Sequence, residues 1–200
     1  MNNTVDSPAF WDEKYRLGET EWDMKSATPA FVELLNSKTF IQPGKLLITG
    51  SGKGYDAIAA AKAGYDVTAV DFSFEAVFSS RKIAEQNAIK INFIVEDIFN
   101  LNQSFIETFD SVYDYTTYCA INPIRHEEYI KKIISLLKYG GKFVALLFPV
   151  EDRKDGPPFG IDPIEFYSIA KKYLKLELSS RRINSIKPRK GREILQIYVK

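Results

Sequence analysis

Gly50-Ser51-Gly52-Lys53-Gly54 follows directly on a short apolar run and opens a helical stretch, and about twenty residues later Asp71 stands at the end of a second apolar run. Glycines let a backbone turn sharply and come close to a ligand, while the first turn of a helix offers unpaired N–H groups. A carboxylate at the end of the next strand, with Phe72 beside it, is placed to accept hydrogen bonds from both ribose hydroxyls. A glycine-rich turn alone has a purely local explanation. The Asp71 spacing turns the reading toward a nucleoside. Tyr55 occupies the position where a dinucleotide fingerprint needs its third glycine, and Lys53 has neither the spacing nor the following hydroxyl of a P-loop, so NAD and ATP are disfavoured.

Two further strand ends carry acids. Asp97 in Val95-Glu96-Asp97-Ile98 can accept from an adenine amino group while Ile98 packs on the ring, although a turn or helix cap also suits Asp97. Asp114 and the backbone carbonyls of Asp114-Tyr115 can face an ammonium group. Acids at three successive strand ends favour one crevice holding one ligand with a ribose, an adenine and an ammonium group, as S-adenosylmethionine (SAM) has.

The elements that must position these residues alternate. Strands are expected at 45–49, 67–70, 91–95, 109–113 and 142–148, with helices near 54–63, 73–87 and 127–137 between them. That order predicts right-handed βαβ units in a mostly parallel sheet with helices on both faces. Trp11 and Tyr15, four apart, suit one face of a short helix ended by Gly18, and Thr28-Pro29 opens a second. A helix near 163–173 precedes two alternating stretches, 175–183 and 193–199, read as a closing antiparallel hairpin around the basic turn Lys187-Pro188-Arg189-Lys190-Gly191. The basic run is read as a solvated hairpin, and His126 as a surface or capping residue at a helix start. The expectation is one domain over 1–200: a helical cap, 1–40, over a Rossmann-like core, 45–200.

Composition narrows the partner. Two hundred residues suit a single core, and 45% hydrophobic with 26% charged residues is ordinary for a globular chain. A formal net charge of +1 gives no long-range pull toward nucleic acid or an anionic membrane, so a small-molecule partner is expected. Cys119 is the only cysteine, which leaves no disulfide framework or thiolate-rich metal site; no metal is expected, and a reducing cytoplasm is the default. The amino terminus has no signal-like apolar run, and no stretch suits a bilayer.

The segment Phe10 to Asp23, the Gly50 loop, the run Asp114 to Ile121, Gly156-Pro157-Pro158-Phe159 and the tail Pro188 to Glu193 together resemble the thiopurine methyltransferase-like family, in particular its plant and bacterial thiol and halide methyltransferases. The resemblance covers nearly the whole chain. It implies a seven-stranded class I methyltransferase fold and methyl transfer from SAM to a small soft nucleophile by in-line displacement. It also implies that the amino-terminal aromatics Trp11, Tyr15 and Trp22 cover the cofactor, where aromatic faces attract a sulfonium cation; without the resemblance they read as a helix buttress. Two positions depart from the family pattern: Ser51, where relatives commonly carry cysteine, and Glu21, where they carry proline.

The expected acceptor pocket is formed by Trp22, Tyr115, Tyr118 and the 156–159 loop, with packing as the alternative for either tyrosine. A monomer or weak homodimer is expected. Two other readings stand beside this one. Pro157-Pro158-Phe159 invites comparison with amino-methyltransferases of nucleic acids or proteins, although it follows the fifth strand rather than ending the fourth, and a non-catalytic SAM-binding module would carry the same cofactor site.

Overall fold

A computed structural model describes residues 4–200. Two amino-terminal helices come first, α1 (Pro8–Leu17) and α2 (Pro29–Ser37), each with proline in its first turn, where a missing N–H costs nothing. The chain then alternates: β1 (Lys45–Thr49), α3 (Tyr55–Lys62), β2 (Asp66–Asp71), α4 (Phe74–Gln86), β3 (Asn92–Val95), β4 (Phe109–Tyr115), α5 (His126–Leu136) and β5 (Leu137–Leu147). It ends with α6 (Pro163–Ala170), β6 (Lys175–Ser180) and β7 (Ile194–Val199). These seven strands form one sheet in the order β3-β2-β1-β4-β5-β7-β6, in which the first five are parallel and β7 runs antiparallel between β5 and β6.

Burial follows topology. All of β1 after Lys45 is buried, as a strand covered on both faces must be, whereas β6 alternates exposed and half-buried positions as an edge strand does. Alternate residues of the central strands feed two cores. Leu46, Ile48, Val67 and Ala69 pack toward α2, α3 and α4, while Leu47, Val70 and Val112 pack toward α5 and α6. From β1 the chain winds outward to β3 and then crosses back to β4, so the strand order reverses between the parallel neighbours β1 and β4, the place where open α/β sheets bind ligands at their carboxyl ends.

Three expectations change at the chain's later elements. β5 begins at Leu137, five residues early, because Leu137 pairs with Phe109 before a bulge restores register at Lys142 opposite Ser111. The two last strands pair antiparallel as expected, but their connection is longer than expected: thirteen residues, 181–193, join them and fold back over the top of the sheet. His126 is buried at 8% exposure, its ring stacked on Tyr118 at 3.8 Å, rather than lying at the surface.

Candidate active site

A cavity of about 540 Å³ opens above the carboxyl ends of the parallel strands, within the size range of small-molecule sites. Gly50 forms its floor with φ +48°, and a Cβ there would lie 2.3 Å from Thr117 Oγ1, which donates to the carbonyl of Thr49 at 3.0 Å. Glycine is required at that position by both conformation and space. The Gly52 N–H donates to Asp71 Oδ2 and the Ser73 N–H to Oδ1, each at 2.9 Å, which fixes the carboxylate at the cavity edge. Burial outweighs these bonds and raises the Asp71 pKa to about 6. Phe72, Asp97 and Ile98 complete this side, together with Glu96. Asp97 Oδ1 also accepts from the Phe99 N–H at 3.0 Å, so the turn-capping reading of this residue holds alongside its place in the wall.

The amino-terminal segment closes the cavity from above. Trp22 stands edge-on to both Trp11 and Tyr15, with ring centroids 5.4 and 5.7 Å apart, and its Nε1 donates to the Tyr15 hydroxyl at 3.3 Å. All three aromatics line the cavity, and burial next to Asp71 holds the Tyr15 hydroxyl protonated. Asp12 ties α1 to the start of α4, accepting from Ser73 Oγ at 2.6 Å and the Glu75 N–H at 3.2 Å. Asp23 pairs with Lys53 of the glycine loop at 2.7 Å, and Thr28 donates twice to Asp56, from its N–H at 2.6 Å and its hydroxyl at 2.8 Å.

Six of the residues read from sequence lie outside the cavity wall. Gly52 and Ser51 shape the loop; Gly54, with φ +77°, starts α3 where a Cβ would meet Ser80 at 2.9 Å. Asp114 is buried, its pKa raised to about 6 by desolvation, and its Oδ1 accepts from the N–H groups of Thr117 and Tyr118 at 3.1 and 3.4 Å. It holds the turn that presents Thr116 and Thr117 to the cavity. Tyr118 is a correction: it is 3% exposed and packed among His126, Phe166 and Tyr129 in the α5/α6 core, because the short helical turn after β4 rolls its ring beneath the sheet's edge. Tyr115 spends its hydroxyl on Glu193, away from the cavity. The loop after β5 contributes Pro157 and Pro158, and burial pushes the Cys119 thiol up, away from the thiolate form.

The side facing β4 and β5 holds what sequence reading missed. Arg189, placed by sequence in a solvated turn, is 3% exposed and lines the cavity. Its guanidinium lies between the rings of Phe148 and Tyr115, 4.6 and 4.9 Å from their centroids, and Nη2 donates to the carbonyl of Trp22 at 2.6 Å. Among the described residues it makes no ion pair, and its Nη1 is buried without a hydrogen-bond partner. Arg192 also reaches the cavity but is paired with Glu151 at 2.5 Å. The cavity wall thus carries Asp71 at the end of β2 and Asp97 past the end of β3, with Lys14 and Arg125 also in the wall, and over β4 and β5 the Arg189 guanidinium, which makes no ion pair among the described residues.

The sequence profile of thiopurine S-methyltransferases matches residues 6–195. The chain belongs to that family. Among its relatives, the probable thiol methyltransferase 2 of Arabidopsis thaliana is 32% identical over 82% of this chain and 72% of its own length. The thiocyanate methyltransferase 1 of the same plant is 29% identical over 98% of this chain and 86% of its own. The fold also matches that of the Burkholderia thailandensis 1,6-didemethyltoxoflavin-N1-methyltransferase crystallised with S-adenosylhomocysteine (SAH), with a TM-score of 0.77 at 18% identity over 96% of this chain and 86% of that one. The protein is a SAM-dependent methyltransferase, and the cavity fits that cofactor: it combines a volume in the range of small-molecule sites with a half-buried carboxylate beside a glycine floor and a cluster of three aromatic rings.

Proposed function

We propose that this methyltransferase acts on a small soft anion: a thiolate, hydrosulfide, thiocyanate or halide. The observation that carries the reading is Arg189. A buried guanidinium is costly unless an anion meets it, and among the described residues this one makes no ion pair and leaves Nη1 without a hydrogen-bond partner. When bound, SAM supplies an activated methyl group, so no strong base or nucleophilic side chain is needed. In this reading Asp71 receives the ribose hydroxyls, Asp97 and Ile98 the adenine, and Trp11, Tyr15 and Trp22 cover the sulfonium side and keep water out. Arg189 holds the acceptor. A free thiol with a pKa near about 8.5 is already a few per cent ionised at neutral pH, and a neighbouring guanidinium raises that fraction. Of the expected cap, residues 4–40 serve that role, residues 1–3 lying outside the described residues, and 45–200 serve as the core.

Support also comes from what the basic tail does: Arg189 and Arg192 turn toward the cavity, which speaks for a small acceptor and against a phosphate backbone. The reading includes a monomer or weak homodimer working in the cytoplasm without nucleic acid. Among the described residues no helix is long and apolar enough to cross a membrane.

Turnover with hydrosulfide, thiocyanate, iodide and thiophenol tests the class. Arg189→Met should raise KM for these anions by about ten-fold or more, as loss of a charged hydrogen bond does, with little change in KM for SAM. Tight SAM binding with no turnover of any soft anion, or an unchanged KM in Arg189→Met, would refute the reading.

A further inference from the structure

Tyr115 sits one residue past the buried acid of β4, yet its hydroxyl faces away from the cavity and its ring carries Arg189. The hydroxyl donates to Glu193 Oε1, and the other oxygen of Glu193 accepts from Ser185 Oγ. Glu193 is 4% exposed and lies four residues beyond Arg189 on the same returning connection, at the start of β7. Both oxygens of this buried carboxylate are therefore engaged by hydroxyls, and it makes no ion pair with Arg189 among the described residues. The arrangement is specific in consequence. A carboxylate placed directly against the guanidinium would neutralise it and occupy its free nitrogen. Set one ring away, Glu193 fixes the face on which Arg189 rests and leaves that nitrogen open.

We infer that Tyr115 is a positioning residue that acts through Arg189, and that Glu193 anchors it so that the guanidinium is aimed at the acceptor without being paired. This rests on the acceptor reading above. Phe148 covers the opposite face and the Trp22 carbonyl takes Nη2, so of the groups that fix the guanidinium only Tyr115 is itself pinned by a hydrogen bond to a buried charge. Removing its hydroxyl keeps the ring's bulk but releases its orientation.

The test is calorimetric binding of thiocyanate to the SAH-loaded protein, which reads the anion site without turnover. Tyr115→Phe and Glu193→Ala should each weaken thiocyanate by about three- to ten-fold, the scale of a desolvated cation–π contact that has lost its alignment. Glu193→Gln keeps an acceptor for the hydroxyl and should bind within about two-fold of the parent or tighter, since a competing negative charge is gone. SAH affinity should be unchanged in all three. If the parent protein binds no thiocyanate, the acceptor reading falls and the positioning role with it. If the parent binds and Arg189→Met does not, while Tyr115→Phe binds as the parent does or loses only melting temperature, the positioning role alone is overturned. A Glu193→Gln variant as weak as Glu193→Ala also overturns it.

Discussion

Asp71 accepts one backbone N–H on each carboxylate oxygen, and an ionised carboxylate has about four acceptor sites, so both oxygens keep capacity for ribose hydroxyls. Its raised pKa gives a pH dependence with a definite sign. With a folded value of about 6 against an ordinary 3.8, the group's contribution to stability is fully present below 3.8 and is lost as pH rises through about 6. If Asp71 receives the ribose as proposed, binding runs the other way, because ribose donors need the ionised form. SAH affinity should be level above about pH 7 and fall as pH drops through about 6. Asp71→Asn should bind more weakly and lose that dependence, and calorimetry across the range would show it. A parallel slope in Asp71→Asn would assign the effect to another group. Residues such as Asp71 and Gly50 were legible in sequence because their place is set by where a strand stops. Arg189 was not, because lysines and arginines around Pro188 and Gly191 look the same in a solvated turn as in one folded inward. Tyr118 misled for a related reason: an aromatic just past a strand end faces the crevice or the core according to the roll of a three-residue turn.

At the scale of elements, α1 has no fully buried residue, so it adds little to the core that sets global stability. Its hold on the body comes from polar clasps and the aromatic cluster. Removing the Asp12 clasp by Asp12→Ala should therefore weaken SAH binding by about five- to thirty-fold, the scale of its two hydrogen bonds, while the denaturation midpoint barely moves. Hydrogen exchange over Pro8–Leu17 should rise in parallel. A midpoint that falls as far as the affinity would make α1 part of the core instead. The alternation of strands and helices from β1 to β5 was readable because its periods and punctuating glycines are local. The early start of β5 was not, since the pairing of Leu137 with Phe109 depends on residues far apart in sequence.

For the whole molecule, the net charge of +1 hides a placement of charge that no composition reveals, since a buried guanidinium that makes no ion pair among the described residues lines the same cavity as Asp71 and Asp97. Only the closed tertiary structure brings residue 22 within reach of residue 189. That one peptide carbonyl belongs at once to the segment proposed to roof the nucleoside and to the clamp proposed for the anion. Two ligands that share a wall are placed to influence each other's affinity. Thermodynamic reciprocity then requires that, if SAH sharpens thiocyanate binding by some factor, thiocyanate must sharpen SAH binding by the same factor. Paired titrations in either order would measure that common number, and a value of one would mean the shared carbonyl transmits nothing.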